Sequence, residues 1–125
     1  MIYISGKISG LDPAEYEVKF NRVEAHLHQL GLKVINPLKL GVGHLPYKAQ
    51  IAECLKVIET RGVTAIYMLK CWKKSDGARR ELALVGTLNM HRLPRIDIYY
   101  EEFGQMKDIE TDARAGNLRC LIPEN

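Results

Sequence analysis

Long apolar runs are missing from this chain of 125 residues. No stretch approaches the roughly 20 residues that a helix needs to cross a bilayer, so a membrane partner is not expected. The first residues also lack a basic stretch leading into an apolar segment with a small-residue cleavage site, the pattern of a secretory signal. The expected address is the cytoplasm. Cysteine is scarce: Cys54, Cys71 and Cys120 are odd in number and widely spaced, with no Cys-x-x-Cys pair and no histidine at metal-ligand spacing. They read as reduced thiols in or near the core, and no metal site is expected. An excess of one charge is absent too, since 18 basic and 15 acidic residues leave a net charge of +3. That is too little to argue for nucleic acid as a partner. There is no internal repeat and no low-complexity segment.

What remains is ordinary globular material. Hydrophobic residues make up 46% and charged residues 26% of the sequence, and the length suits one domain over residues 1–125 with a single sizeable core. Charge is concentrated at one place, "KCWKKSDGARR", with five basic residues against Asp76. That run reads either as a solvated surface or as a local attraction for phosphate.

Residues 2–5 read as a strand. In "LDPAEYEVKFNRVEAHLHQLG" both ends of a helix are marked: Asp12 as N-cap, Pro13 at the first helical position, Glu15 three residues after the cap, and Gly31 as the stop. Tyr16, Phe20, Val23, Leu27 and Leu30 follow one face of it at 3.6 spacing. "LKVIN" is a second strand closed by Pro37, and "PLKLGVGHLP" a loop across the rim of the fold. Ile51, Cys54, Leu55 and Ile58 mark a second helix. "VTAIYML" is short, continuous and rich in β-branched residues, as a strand buried on both faces is. "SDGARRELALVGTLNM" is a third helix and "RIDIYY" a fourth strand, followed by a short helix near Met106–Ala113 and a final strand "LRCLI". Alternating strands and helices joined by right-handed crossovers predict a three-layer α/β sandwich, Rossmann-like or flavodoxin-like. The expected sheet is parallel, of four to five strands in the order 2-1-3-4-5, with the first and last helices on one face.

In such sheets ligands bind beyond the carboxyl ends of the strands. Two segments reach that rim. The loop "SGKISG" leaves the first strand: Gly6 and Gly10 allow close backbone approach, and Ser5, Lys7 and Ser9 offer donors. It is neither a GxGxxG nor a P-loop. "WKKSDGARRE" joins the third strand to its helix, with Ser75 and Asp76 as caps and Gly77 keeping the helix start uncrowded. One turn inside lies Glu81, above Leu84, Val85 and Leu88 on the buried side, where a carboxylate needs a function or a partner. A partner in Arg79 or Arg80, or the helix dipole alone, is the structural alternative. Burial should raise the Glu81 pKa while the helix N-terminus and Lys7 or Arg79 lower it, leaving the charged form dominant near neutral pH.

"IYISGKISG", the helix with Tyr16, "VINP", "AIYML" and "WKKSDGARRELALV" together resemble the nucleoside 2-deoxyribosyltransferase-like superfamily over about residues 1–100. The closest branch is a set of small bacterial and phage proteins of unassigned function, with 2-deoxynucleoside 5-monophosphate N-glycosidases as more distant relatives. The most specific element is a Ser-x-Gly-x-x-x-Glu pattern, met by Ser75, Gly77 and Glu81. The resemblance implies cleavage or exchange of an N-glycosidic bond in a nucleoside or nucleotide. Glu81 would attack the anomeric carbon and Tyr3 would orient it. Ser5, Gly6, Lys7, Ser9, Gly10, Asn36, Ser75 and Gly77 would hold the sugar, its hydroxyls or a phosphate. It further implies no metal or organic cofactor, and a homo-oligomer whose contacts involve "CLIPEN" and the helix before it.

Two positions depart from the family pattern. An Asp of the helix before the third strand is replaced: Glu53 is the nearest carboxylate, and Cys54 is the alternative occupant. A second Asp, at the start of that strand, is Thr64 here. A nucleophile without an acid is impaired for leaving groups that need a proton. The alternative reading is therefore a non-catalytic nucleotide-binding module of the same fold.

Overall fold

Ile2–Ser5 forms the first strand, β1, and all four residues are buried. A segment with no polar face suits the middle of a parallel sheet, which is covered on both sides. The computed structural model describes residues 1–116 and Leu118. After β1 come α1 (Pro13–Gln29), β2 (Val34–Ile35), α2 (Tyr47–Thr60), β3 (Ala65–Met68), α3 (Asp76–His91), β4 (Asp97–Tyr100) and α4 (Met106–Arg114). The strands lie in the order β2-β1-β3-β4, and every neighbouring pair is parallel. Tyr3 is in register with Ile35 on one side and Ile66 on the other. This is the expected flavodoxin-like sandwich. The fifth strand "LRCLI", except Leu118, lies outside the described residues, as do Cys120 and the "CLIPEN" segment.

Side-chain alternation along the strands divides the core in two. Ile2, Ile4, Ala65, Tyr67 and Tyr99 pack with Phe20, Val23 and Leu27 of α1 and Ile109 of α4. Tyr3, Ile35, Ile66 and Met68 pack with Val57 and Ile58 of α2 and Ala78 and Val85 of α3. The first and last helices thus share one face, as expected. No helix among the described residues is long and apolar enough to cross a membrane.

The second strand is shorter than the five residues expected for it. Asn36 ends β2 because its side-chain oxygen accepts from the Leu38 backbone N–H at 3.0 Å, starting a 3₁₀ turn over Pro37–Lys39. The Asn36 amide donates to Asn21 at 3.0 Å and to Glu24 at 3.3 Å, which ties the turn to α1. Burial pushes the Glu24 carboxyl up, but hydrogen bonds from Lys39 and Asn36 outweigh it and hold the group below the ordinary carboxylate value. Further 3₁₀ turns over Trp72–Lys74 and Glu101–Phe103 follow the third and fourth strands. At each place the chain must turn sharply within a few residues to leave the sheet.

Gly6, immediately after β1, is required by packing. A Cβ there would lie 2.8 Å from Leu69 Cδ1 and 2.9 Å from Leu69 Cβ, whereas one on Gly43 would meet nothing within 4 Å. Gly6→Ala should therefore lower unfolding stability by about 1–3 kcal/mol, the usual cost of overpacking. Gly43→Ala should change it by less than about 0.5 kcal/mol, as surface substitutions do. Denaturant midpoints of the two variants check both expectations.

Candidate functional site

Helix α3 starts where Ser75 Oγ accepts the Ala78 backbone N–H at 3.0 Å, an N-cap that satisfies one free donor of the first turn. From that start, helical spacing puts Ala78, Glu81 and Val85 on the side facing the sheet, and all three are buried. Glu81 is only 7% exposed. Opposite it, Tyr3 and Ser5 stand two residues apart on β1 and so point to the same face. The Tyr3 hydroxyl donates a hydrogen bond to Glu81 Oε2, and Ser5 Oγ donates to Oε1 at 2.7 Å. One strand thus supplies a donor to each carboxylate oxygen.

Among the described residues no cation joins this group. The Arg79 guanidinium donates to the Lys73 carbonyl at 2.6 Å and lies 3.9 Å from Asp76, while Arg80 Nε binds Asp76 at 2.9 Å. The electrostatic support expected from Lys7 or Arg79 is replaced by two neutral hydroxyls. Burial pushes the Glu81 pKa up, the Tyr3 and Ser5 hydrogen bonds draw it part of the way back, and the result is about 7. The charged form does not dominate at neutral pH as expected; the carboxyl is balanced there between its two forms. Burial, then the charge of Glu81, raises Tyr3 well above the ordinary phenol value, so it remains a donor. Burial likewise raises the Cys54 thiol, which interacts with the Tyr3 hydroxyl and stays protonated.

The Glu81 carboxylate lies in a cleft at the carboxyl rim of the sheet. Its cavity volume is about 80 Å³, room for several waters or one ring-sized group on a scale where one water needs about 10–15 Å³. From the β1 side Tyr3, Gly6 and Ser9 line it, and from the start of α3 come Ser75, Gly77 and Glu81. These six sequence-derived site residues meet in one place. Ser5 does not line the cleft but stands behind it, holding Glu81. Lys7, Gly10, Asn36 and Glu53 do not line it either. Asn36 spends its amide and its oxygen on α1 and on the turn, and only its neighbour Pro37 reaches the cleft wall. Glu53 is exposed on α2, and the adjacent residue Cys54 faces the cleft instead. Gly77 has no close neighbour at its Cβ position, the nearest being Ile51 Cγ1 at 3.9 Å, so its lack of a side chain widens the cleft.

Sequence reasoning missed Tyr47 and Gln50. They line the cleft with Ile51 and Cys54, and the spacing i, i+3, i+4, i+7 is a single helix stripe. That spacing was the available signal. Tyr47 donates from its hydroxyl to Asp76 Oδ2 at 3.1 Å, linking the starts of α2 and α3 across the cleft mouth. The Gln50 amide donates to the Leu45 carbonyl at 2.8 Å and the Gly43 carbonyl at 3.3 Å, pinning the preceding loop. Among the described residues no group of three or more His, Cys, Asp or Glu side chains could hold a metal ion. Chemically, the cleft presents one buried carboxyl, fixed by two hydroxyls and poised at neutral pH to act as nucleophile, base or acid.

A family described as a domain of unknown function (DUF4406) matches residues 1–92, and the chain belongs to it. The match runs from β1 through α3 and contains every cleft residue named above. No curated protein and no solved structure matches the chain.

The Glu81 environment predicts a pH dependence of stability. Its pKa is about 7 in the fold against 4.5 for an ordinary glutamate, so between those values the folded chain holds a proton that the unfolded chain has released. The contribution is full below pH 4.5 and is lost as pH rises through about 7. At ~1.4 kcal/mol per pH unit it amounts to about 3 kcal/mol. Denaturant titrations at pH 4.5 and pH 8 should show the wild type losing that much relative to Glu81→Gln, which has no carboxyl to titrate.

Proposed function

We propose that this DUF4406-family protein is an N-glycosidase or deoxyribosyltransferase that acts on a deoxynucleoside or deoxynucleotide with Glu81 as its nucleophile. The observation that carries this reading is the Glu81 carboxyl itself, buried at the cleft and gripped by Tyr3 and Ser5, with no cation among the described residues to neutralise it. A purely structural carboxylate in such a place would be costly and easily replaced. The resemblance of the Ser75, Gly77 and Glu81 pattern to deoxyribosyltransferase-like proteins supports the same assignment.

In the first step a Glu81 oxygen forms a bond to the anomeric carbon and the carbon–nitrogen bond breaks, its electron pair leaving with the base. Tyr3 and Ser5 fix the carboxylate so that the attacking oxygen starts within about 3–3.5 Å of its target. The departing base takes its proton from water, because Glu81 is the sole carboxylate lining the cleft among the described residues. In the second step water, or another base, attacks the same carbon and displaces Glu81, its proton neutralising the hydroxide left by the first step, with hydrogen bonds from Tyr3 and Ser5 stabilising the released carboxylate. Ser9 and Ser75, both lining the cleft, meet the sugar hydroxyls or a 5′-phosphate.

The second reading, a nucleotide-binding module without turnover, draws on one observation. Cys54 faces the cleft where a second carboxylate would supply an acid, and Glu53 is exposed outside it. Paired-carboxylate sugar chemistry depends on that second group.

Incubation with deoxynucleosides and their 5′-monophosphates, followed by chromatography for free base, separates the two. Base release should rise with pH through about 7 as Glu81 ionises. Glu81→Gln should reduce it by several orders of magnitude while calorimetric binding survives. Binding by the wild type with no base released from any member of the panel establishes the module instead.

A further inference from the structure

The basic run "KCWKKSDGARR" is split by the fold. Arg79 and Arg80 turn to Asp76 at the start of α3. Lys70, Lys73 and Lys74 line a different cavity, of about 380 Å³, together with Lys19 of α1. This second cavity lies on the α1 side of the same rim, and Leu69, which belongs to the α1–α4 core, forms part of its wall. Four lysines from two separate parts of the chain face one carboxylate, Glu101, in its lining. Glu101 accepts the Lys70 backbone N–H at 2.9 Å. Lys73 lies 3.7 Å from Glu102 and 5.8 Å from the centre of the Trp72 ring. Lys19, Lys70 and Lys74 have no ion-pair partner among the described residues.

Unpaired like charges around a concave surface repel one another, and the concavity concentrates their field on any anion that enters. We propose that this cavity binds a polyphosphate chain, at a site separate from the Glu81 cleft. Size favours a chain over a single phosphate, because a cavity of about 380 Å³ has room for many water-sized groups on a scale where one water needs about 10–15 Å³. The donor set favours charge over shape: it holds lysine ammonium groups on flexible stems and no arginine fork. Affinity should therefore follow the number of negative charges on the ligand. It should also weaken steeply with salt, since these lysines are exposed.

Calorimetry on the intact protein at low ionic strength, with orthophosphate, pyrophosphate, inorganic tripolyphosphate and a nucleoside triphosphate, tests the proposal. Tripolyphosphate should bind at least tenfold more tightly than orthophosphate. Equal affinity for tripolyphosphate and the nucleoside triphosphate identifies the chain alone as the ligand, whereas tighter binding of the latter identifies a nucleotide tail; either supports the site. Lys70→Gln/Lys74→Gln should weaken tripolyphosphate binding at least tenfold. The charge-matched control Lys33→Gln/Lys56→Gln, at exposed positions that line neither cavity, should weaken it less than twofold. The proposal is overturned by no binding at low salt, by equal affinity for orthophosphate and tripolyphosphate, or by equal weakening in both double variants. Tighter binding of a single-stranded oligonucleotide than of tripolyphosphate also overturns it.

Discussion

The contact between Glu81 and the two hydroxyls of β1 constrains much of the architecture around it. Taking a carboxylate out of water without partners is prohibitive, and an ion pair with an arginine would have neutralised it. Tyr3 and Ser5 offer a third solution: they give each oxygen a hydrogen bond from a neutral hydroxyl. That solution suits β1, where residues two apart face the helix-covered interior beneath α3. It also demands the helix register set by Ser75, since starting α3 one residue later would rotate Glu81 by about 100° and out of reach.

The same rim carries two electrostatic environments separated by the core division. On the α2–α3 side the cleft is lined by hydroxyls, apolar groups and one carboxyl. On the α1 side the lining is dominated by lysine. A single connecting segment serves both, with Lys70, Lys73 and Lys74 lining one cavity and Ser75 and Gly77 the other. The 3₁₀ turn over Trp72–Lys74 makes this possible by carrying the chain across the top of β3 in three residues.

How much of this was legible in the sequence depends on the range of the interaction involved. Local signals read well: Asp12 caps α1, Ser75 caps α3, and the alternation of strands with helices gives the parallel order β2-β1-β3-β4. Glu81 stood out because it is a charge in an apolar helical stripe. Its partners were misjudged, and the reason is geometric. Residues one or two positions apart on a helix do not face each other, so Arg79 and Arg80 reach back three and four residues to Asp76 rather than forward to Glu81. Ser5 reads in the sequence as a donor for ligand, because its burial against α3 depends on tertiary packing. A step of one residue turns a helix by about 100°, which is why the choice between exposed Glu53 and inward Cys54 needed the structure. Tyr47 and Gln50 lie on the first turn of α2, where Pro46 provides no side-chain cap to announce the helix. The loop "PLKLGVGHLP" ends at Pro46 and the apolar positions mark the helix only from Ile51, so Tyr47 and Gln50 fall between the two readings.

The packing of Leu69 on Gly6 has a consequence for how such a protein can change over evolutionary time. Gly6 belongs to the wall of the Glu81 cleft and Leu69 to the wall of the lysine cavity, and the two residues touch. The partition between the chambers at this point is one backbone and one side chain thick. A bulkier group on either side of the partition must be accommodated by the other. The two chambers therefore do not drift independently in size: selection that enlarges one draws on space the other holds, and compensating changes should be sought in pairs across this wall.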